Sequence, residues 1–298
     1  MVNYQSNLMK KPLKASEGYI DADDHNLYYK VLGEGPCLLV LHGGPALDHS
    51  YLLEPFLDLA KTYKLVFFDQ VACGKSSIPK NTENYSFANL VNDLNLVVDY
   101  LNIDSFGIIA HSWGSLLALE YAKSNSDLVK SIIFSNPMSL CWDDWQMEQQ
   151  ILDSKILKAD LIKRKKILQS DKMRKNPSLM VGKLMRISFK PHFYNEDYIN
   201  DLNLNIPDDY LLRSEFYERI ISENQGFDLF KNTDSLSIPS LIIYGEIEAG
   251  KEISGDKFRE VLTDSTLKEI KHSGHFPFIE NPTAYFKAVD KFQARLLL

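Results

Sequence analysis

Ser112 stands between an apolar run, 106–110, and a Leu- and Ala-rich helical pattern that starts at Gly114. A serine on a strand-to-helix corner is lifted clear of a sheet and presented to a ligand. Its strained backbone needs small residues two positions away on each side, and Ala110 and Gly114 occupy those positions. The next backbone N–H, that of Trp113, then opens a helix, where it can stabilise a developing oxyanion. The chemistry expected is nucleophilic attack through a covalent intermediate, although a strand–helix turn can also carry a serine with no such role.

A serine nucleophile needs a base for its proton and an acid to orient that base. Both should sit on loops at the carboxyl ends of parallel strands. Glu246 and Glu248 follow the apolar run 240–245, and His272 and His275 follow the extended segment 266–270. His275 is the expected base, because Gly274 lets its loop reach inward; His272 is the rival. Glu248 is the expected acid, with Glu246 as the alternative. A second oxyanion donor should come from the loop after the apolar run 37–41, where His42-Gly43-Gly44-Pro45 allows close backbone approach. Gly44 and Trp113 are the expected donors. His42 and Gly43 are expected beside the substrate, with His42 orienting the loop.

These groups need a scaffold that brings strand ends together. The continuous apolar run 37–41 fits a strand buried on both faces, and 64–68, 106–110, 129–135 and 240–245 read as further strands. Helical patterns intervene at 48–61, 86–101, 252–262 and from Pro282, where Asn281 is placed as N-cap. Two strands, 18–23 and 26–32, precede them. This alternation predicts a mostly parallel, doubly wound sheet covered on both faces. The stretch 137–237 breaks the pattern with helical, highly charged sequence. It reads as a helical lid inserted between core segments 1–136 and 238–298.

The 298 residues and 45% hydrophobic content fit one α/β domain with an insertion. A net charge of −7 argues against nucleic acid as a partner. The basic run Lys163-Arg164-Lys165-Lys166 reads as a solvated face. No apolar run is long enough to span a bilayer, and 1–14 lacks the features of a secretory leader; a cytoplasmic protein without a membrane partner is expected. Cys37, Cys73 and Cys141 form neither a disulfide framework nor a zinc spacing. No metal or cofactor is expected.

Together the motifs resemble the proline iminopeptidase group of serine aminopeptidases, within the α/β-hydrolase fold. The serine, acid, histidine order matches that fold. His42-Gly43-Gly44-Pro45 is similar to the group's HGGPG, with Ala46 for the last glycine. Residues 69–76, DQVACGKS, are similar to DQxGxGxS. Residues 110–115, AHSWGS, resemble GGSWGS, with Ala110 and His111 in place of two glycines. Gly245 to Glu248 resembles G-x-x-D with glutamate for aspartate. The resemblance implies metal-free release of an N-terminal residue, often proline, from short peptides. Group members hold the substrate amine with two glutamates, one beside the acid and one in the lid. Here Ala249 takes the first place. Glu223 is the carboxylate near the second, in a stretch of acids that also reads as a solvated helix face. The competing expectations are a carboxylesterase, lactonase or amidase for a small non-peptide substrate, and a non-catalytic binding protein on the same fold. Ser112 at the corner, in place of aspartate, argues against dehalogenase and epoxide hydrolase chemistry.

Overall fold

The computed structural model describes residues 13–296. The leader expectation for residues 1–14 falls almost wholly outside them. Eight strands form one sheet: β1 (Ala15–Asp21), β2 (Asn26–Leu32), β3 (Cys37–Leu41), β4 (Lys64–Phe68), β5 (Phe106–His111), β6 (Val129–Ser135), β7 (Ser240–Gly245) and β8 (Ser265–Ile270). Their order is β1-β2-β4-β3-β5-β6-β7-β8. β2 pairs antiparallel with β1 and β4, and every other pairing is parallel. The helices are α1 (Ser50–Leu53), α2 (Phe87–Tyr100), α3 (Gly114–Ser124), α4 (Trp142–Ser154), α5 (Lys158–Leu168), α6 (Asp171–Lys175), α7 (Pro177–Phe189), α8 (Tyr210–Glu223), α9 (Gly250–Val261), α10 (Pro277–Glu280) and α11 (Pro282–Arg295).

The apolar runs become central strands because both of their faces are covered. Alternate side chains enter different cores. Val66, Ile108, Ile132 and Ile242 pack on the side of α2 and α3. Phe67, Ile109, Ile133 and Ile243 pack with Phe276, Tyr285 and Phe292 on the other side. Local signals set the helix starts. Ser86 and Asn89 form a capping box at α2, and the Asn281 side chain accepts the Ala284 N–H at α11. The helix expected over 48–61 shrinks to α1 followed by turns and a short 3₁₀ segment, 59–61. Pro55 lies in the middle of that stretch and cannot continue a helix.

Helices α4 to α8 all lie between β6 and β7. Two contacts of the 192–195 backbone fasten this insertion to the loop that follows β8 and to α10. His275 N–H donates to the carbonyl of His192 (2.7 Å), and Asn195 N–H donates to Glu280 Oε1 (3.0 Å).

Candidate active site

β5 ends at His111 and α3 begins at Gly114, so Ser112 sits on a corner only two residues long. Its φ is +53°, in the left-handed region, a conformation costly for a residue with a Cβ. Neighbours on both sides hold it there. Ser112 N–H donates to the Ser135 carbonyl (3.2 Å), and its own carbonyl accepts the Met138 N–H (3.2 Å). A Cβ on Gly114 would lie 2.8 Å from the Leu41 carbonyl oxygen. Glycine at that position lets the corner press against the end of β3.

Facing Ser112 is a cavity of about 230 Å³ whose wall includes Gly44, Trp113, Glu148, His192, Glu248 and His275. His275 Nδ1 lies 3.1 Å from Glu248 Oε2. The carboxylate can only accept, so Nδ1 carries the proton and Nε2 is the basic nitrogen. Burial alone would raise the Glu248 carboxyl, but the adjacent His275 ring, together with His192 and Asn136, offsets it and holds the group below its usual value. The rival pair has separate partners. Glu246 accepts the His272 backbone N–H (2.8 Å), and the His272 ring is exposed beside Tyr194 (3.3 Å).

The loop after β3 is braced from below. His42 Nδ1–H donates to the Gly43 carbonyl (2.7 Å), and Nε2 accepts the Gln70 N–H (3.0 Å). Gln70 Nε2 returns to the His42 carbonyl (2.9 Å), while Gln70 Oε1 accepts from the Trp113 indole (3.2 Å). His42 is therefore buried scaffold and does not reach the cavity. Gly43 N–H is also committed, to Tyr51 Oη (2.6 Å). Gly44 borders the cavity beside Ser112, as does Trp113.

Tyr51 begins a chain with defined proton positions. His111 Nε2 faces the His275 carbonyl (2.9 Å), which only accepts, so that nitrogen carries the proton. Burial, reinforced by the neighbouring His275, holds His111 well below its usual value, so the ring is neutral. Its Nδ1 therefore accepts the Tyr51 O–H (2.7 Å). The chain links the loop after β3 to the His275 backbone.

Glu223 is not brought to the cavity. It lies exposed at the end of α8, paired with Arg219 (2.9 Å). Glu148 on α4 lies there instead. It is buried, with Ser254 Oγ at 3.5 Å. Burial, and then the charge of Glu248, push its carboxyl up to about 8. The available signal is its place in the stripe Trp145, Glu148, Gln149, Leu152, all of which face the cavity: an acid at helical spacing among cavity-facing positions. His192 is the second addition. Its Nδ1 is buried without a partner, and burial followed by His275 pushes it down to about 3. No spacing rule connects this insertion residue to the corner. Among the described residues, His192, Glu248 and His275 group their donor atoms within 4.8 Å, the one arrangement that could hold a metal ion; two of those groups already bond each other.

A family profile described as alpha/beta hydrolase fold matches residues 36–282. The chain belongs to the alpha/beta hydrolase fold family. Among curated relatives, a proline iminopeptidase of Heyndrickxia coagulans is 26% identical over 93% of this chain and 98% of its own length. One from Saccharolobus solfataricus is 25% identical over 94% and 93%. Epoxide hydrolase 1 of Caenorhabditis elegans is 25% identical over 92% of this chain and 69% of its own length. A solved structure of a proline iminopeptidase-related protein from Thermus thermophilus shares the fold. Its TM-score is 0.72 at 20% identity, over 95% of this chain and 98% of the other. The resemblance to the proline iminopeptidase group thus extends along nearly the whole alpha/beta hydrolase chain. An apolar side cavity of about 70 Å³, bounded by Phe87, Leu116, Ile220 and Phe227, shares Trp113, Met138 and Trp145 with the main cavity.

Proposed function

We propose that this chain is a serine hydrolase of the aminopeptidase kind, releasing an N-terminal residue from short peptides. Ser112 Oγ attacks the scissile carbonyl while His275 Nε2 takes its proton. Glu248 keeps His275 in the required tautomer and stabilises the imidazolium. The N–H groups of Gly44 and Trp113 receive the oxyanion, the protonated His275 gives its proton to the leaving amine, and water then releases the acyl group. The helical insertion 137–237 acts as the lid over this reaction. The names of the relatives support the peptide reading.

The observation that carries the specificity is Glu148. Among the described residues, the wall of the cavity holds Glu148 and Glu248 and no lysine or arginine. A protonated α-amine entering there gains a charge-assisted partner and draws the proton off Glu148. The apolar side cavity suits a pyrrolidine ring or a small aliphatic side chain next to the scissile bond. Burial and the charge of Glu248, however, favour the protonated form of Glu148, which offers an O–H donor to a neutral carbonyl. That property favours the second reading, an esterase or amidase for a small uncharged substrate.

A panel of prolyl arylamide, N-acetylprolyl arylamide and a simple aryl ester separates the two. The proposal expects kcat/KM highest for the free amine. Glu148→Gln should lower it about ten- to a hundredfold for that substrate and leave the N-acetyl compound unchanged. Ser112→Ala should abolish turnover and labelling by a fluorophosphonate. Rapid ester hydrolysis with no turnover of any free-amine substrate would establish the second reading; labelling that persists in Ser112→Ala would remove the nucleophile.

A further inference from the structure

The insertion carries a charge opposite to that of the molecule. Between residues 155 and 183 there are ten lysines and arginines against two acids, Asp160 and Asp171, in a chain of net charge −7. Both acids are already neutralised nearby: Asp160 by Lys163 and Lys190, Asp171 by Arg174. Lys158, Lys165, Lys166 and Lys172 make no ion pair with any described residue. The same segment exposes large aliphatic side chains: Leu157 (60%), Leu161 (50%), Ile162 (57%), Leu168 (56%) and Leu179 (55%).

The arrangement on α5 is specific. Asp160, Arg164 and Ile167 turn inward, and the helix packs against α7. Its outer face therefore presents Lys158, Leu161, Ile162, Lys165 and Leu168, at spacings of three and four residues. A solvated helix needs no aliphatic residues on its outer face. A nucleic-acid face would match the lysines to phosphates but leave the leucines against water or sugar edges. A bilayer interface accepts both, because aliphatic side chains enter the headgroup boundary while lysine stems snorkel toward lipid phosphates.

From this pairing of unpartnered cations and exposed aliphatics we propose, against the expectation of no membrane partner, that α5, with α6 and the first turn of α7 to Leu179, docks the protein on an anionic lipid surface. Charge segregation fixes the orientation, since the remainder of the molecule is repelled by such a surface. Docking also lies next to the cavity wall. Lys155, at one end of the segment, donates to the Ile247 carbonyl (3.5 Å), and Phe189, at the end of α7, lines the cavity. The lipid occupies the surface only. Among the described residues no helix is long and apolar enough to cross a membrane.

The test is co-sedimentation of the full chain with vesicles of mixed phosphatidylglycerol and phosphatidylcholine, against pure phosphatidylcholine and against heparin. The proposal expects at least about tenfold tighter binding to the anionic vesicles, lost at high salt. Lys165→Glu with Lys166→Glu should weaken vesicle binding about tenfold or more. Leu161→Gln with Ile162→Gln should weaken it several-fold while leaving heparin binding unchanged. Neither variant touches the cavity, so thermal melting and phosphonate labelling of Ser112 should match the parent. Absence of binding to anionic vesicles overturns the proposal. So does vesicle binding insensitive to the leucine changes, which would mark a general polyanion face.

Discussion

At the scale of single residues, one carboxyl of the site stands without a charge partner. Glu148 is a buried carboxyl with an acid for a neighbour and, among the described residues, no cation beside it. Its value of about 8 in the fold exceeds the 4.5 of an exposed glutamate. The folded state therefore favours the proton. That contribution is complete below about 4.5, is lost as pH rises through 8, and amounts to a few kcal/mol at most. Glu148→Gln, a mimic of the protonated form, should match the parent in melting temperature near pH 5 and exceed it increasingly toward pH 9. Parallel melting curves across that range would show that Glu148 is charged and compensated. Tyr51 offers a second residue-level test. Tyr51→Phe orphans both His111 Nδ1 and the Gly43 N–H, two buried groups. Stability should fall by about 1–3 kcal/mol. The lowered kcat should come with little change in KM, because the loop moves and the amine partner does not. The candidate residues Ser112 and Glu248 are legible in the sequence because each follows an apolar strand run, and His275 because a glycine loop after an extended segment carries it. His192 and Tyr51 are not, since each acts through a neighbour remote in sequence and carries no local pattern; Glu148 shows only as an acid at helical spacing, which packing alone turns toward the cavity.

At the scale of elements, what the sequence discloses depends on burial. The five central strands announce themselves because both faces are covered along most of their length, and polar residues break their apolar runs only near the ends. The antiparallel strands β1 and β2 alternate less cleanly, and the expected 18–23 strand lies three residues earlier at its start. The overlong helix over 48–61 follows from an amphipathic pattern that Pro55 overrides. In the insertion the obstacle is different. Acids on α4 and α8 share similar spacing, and only packing decides that Glu148 faces inward while Glu223 pairs with Arg219 outside. The loop after β8 shows how tightly the elements are set. A Cβ on Gly274 would lie 2.1 Å from the His192 carbonyl oxygen, the acceptor of the His275 N–H. Gly274→Ala must therefore push 190–193 away from the histidine loop. A loss of roughly 1–3 kcal/mol in stability is expected, with a larger proportional loss of kcat than the stability change explains. Unaltered kinetics in a normally folded Gly274→Ala protein would mean that the His192 contact does not position His275.

At the scale of the whole molecule, the sheet and its insertion are joined by a buried acid on α10. Glu280 Oε1 accepts the Asn195 N–H (3.0 Å) from the insertion, and Oε2 accepts the Gly274 N–H (2.7 Å) from the histidine loop. One carboxylate thus holds the end of the insertion and the approach to His275 in fixed relation. Burial raises its carboxyl despite those donors, so the two hydrogen bonds are made at a desolvation cost that only their shared geometry offsets. Glu280→Ala removes both acceptors and leaves the buried Gly274 N–H and the partly buried Asn195 N–H without their partner. Hydrogen bonds to charged acceptors contribute about 1.5–3 kcal/mol each, so the fold should weaken by about 2–4 kcal/mol. Hydrogen exchange should accelerate at 192–197 and 272–276 together, while β5 and β6 remain protected. Glu280→Gln keeps one carbonyl acceptor and should restore protection at only one of the two segments. Acceleration of one segment alone in Glu280→Ala would show that insertion and histidine loop are held separately, and that movement of the insertion leaves His275 in place.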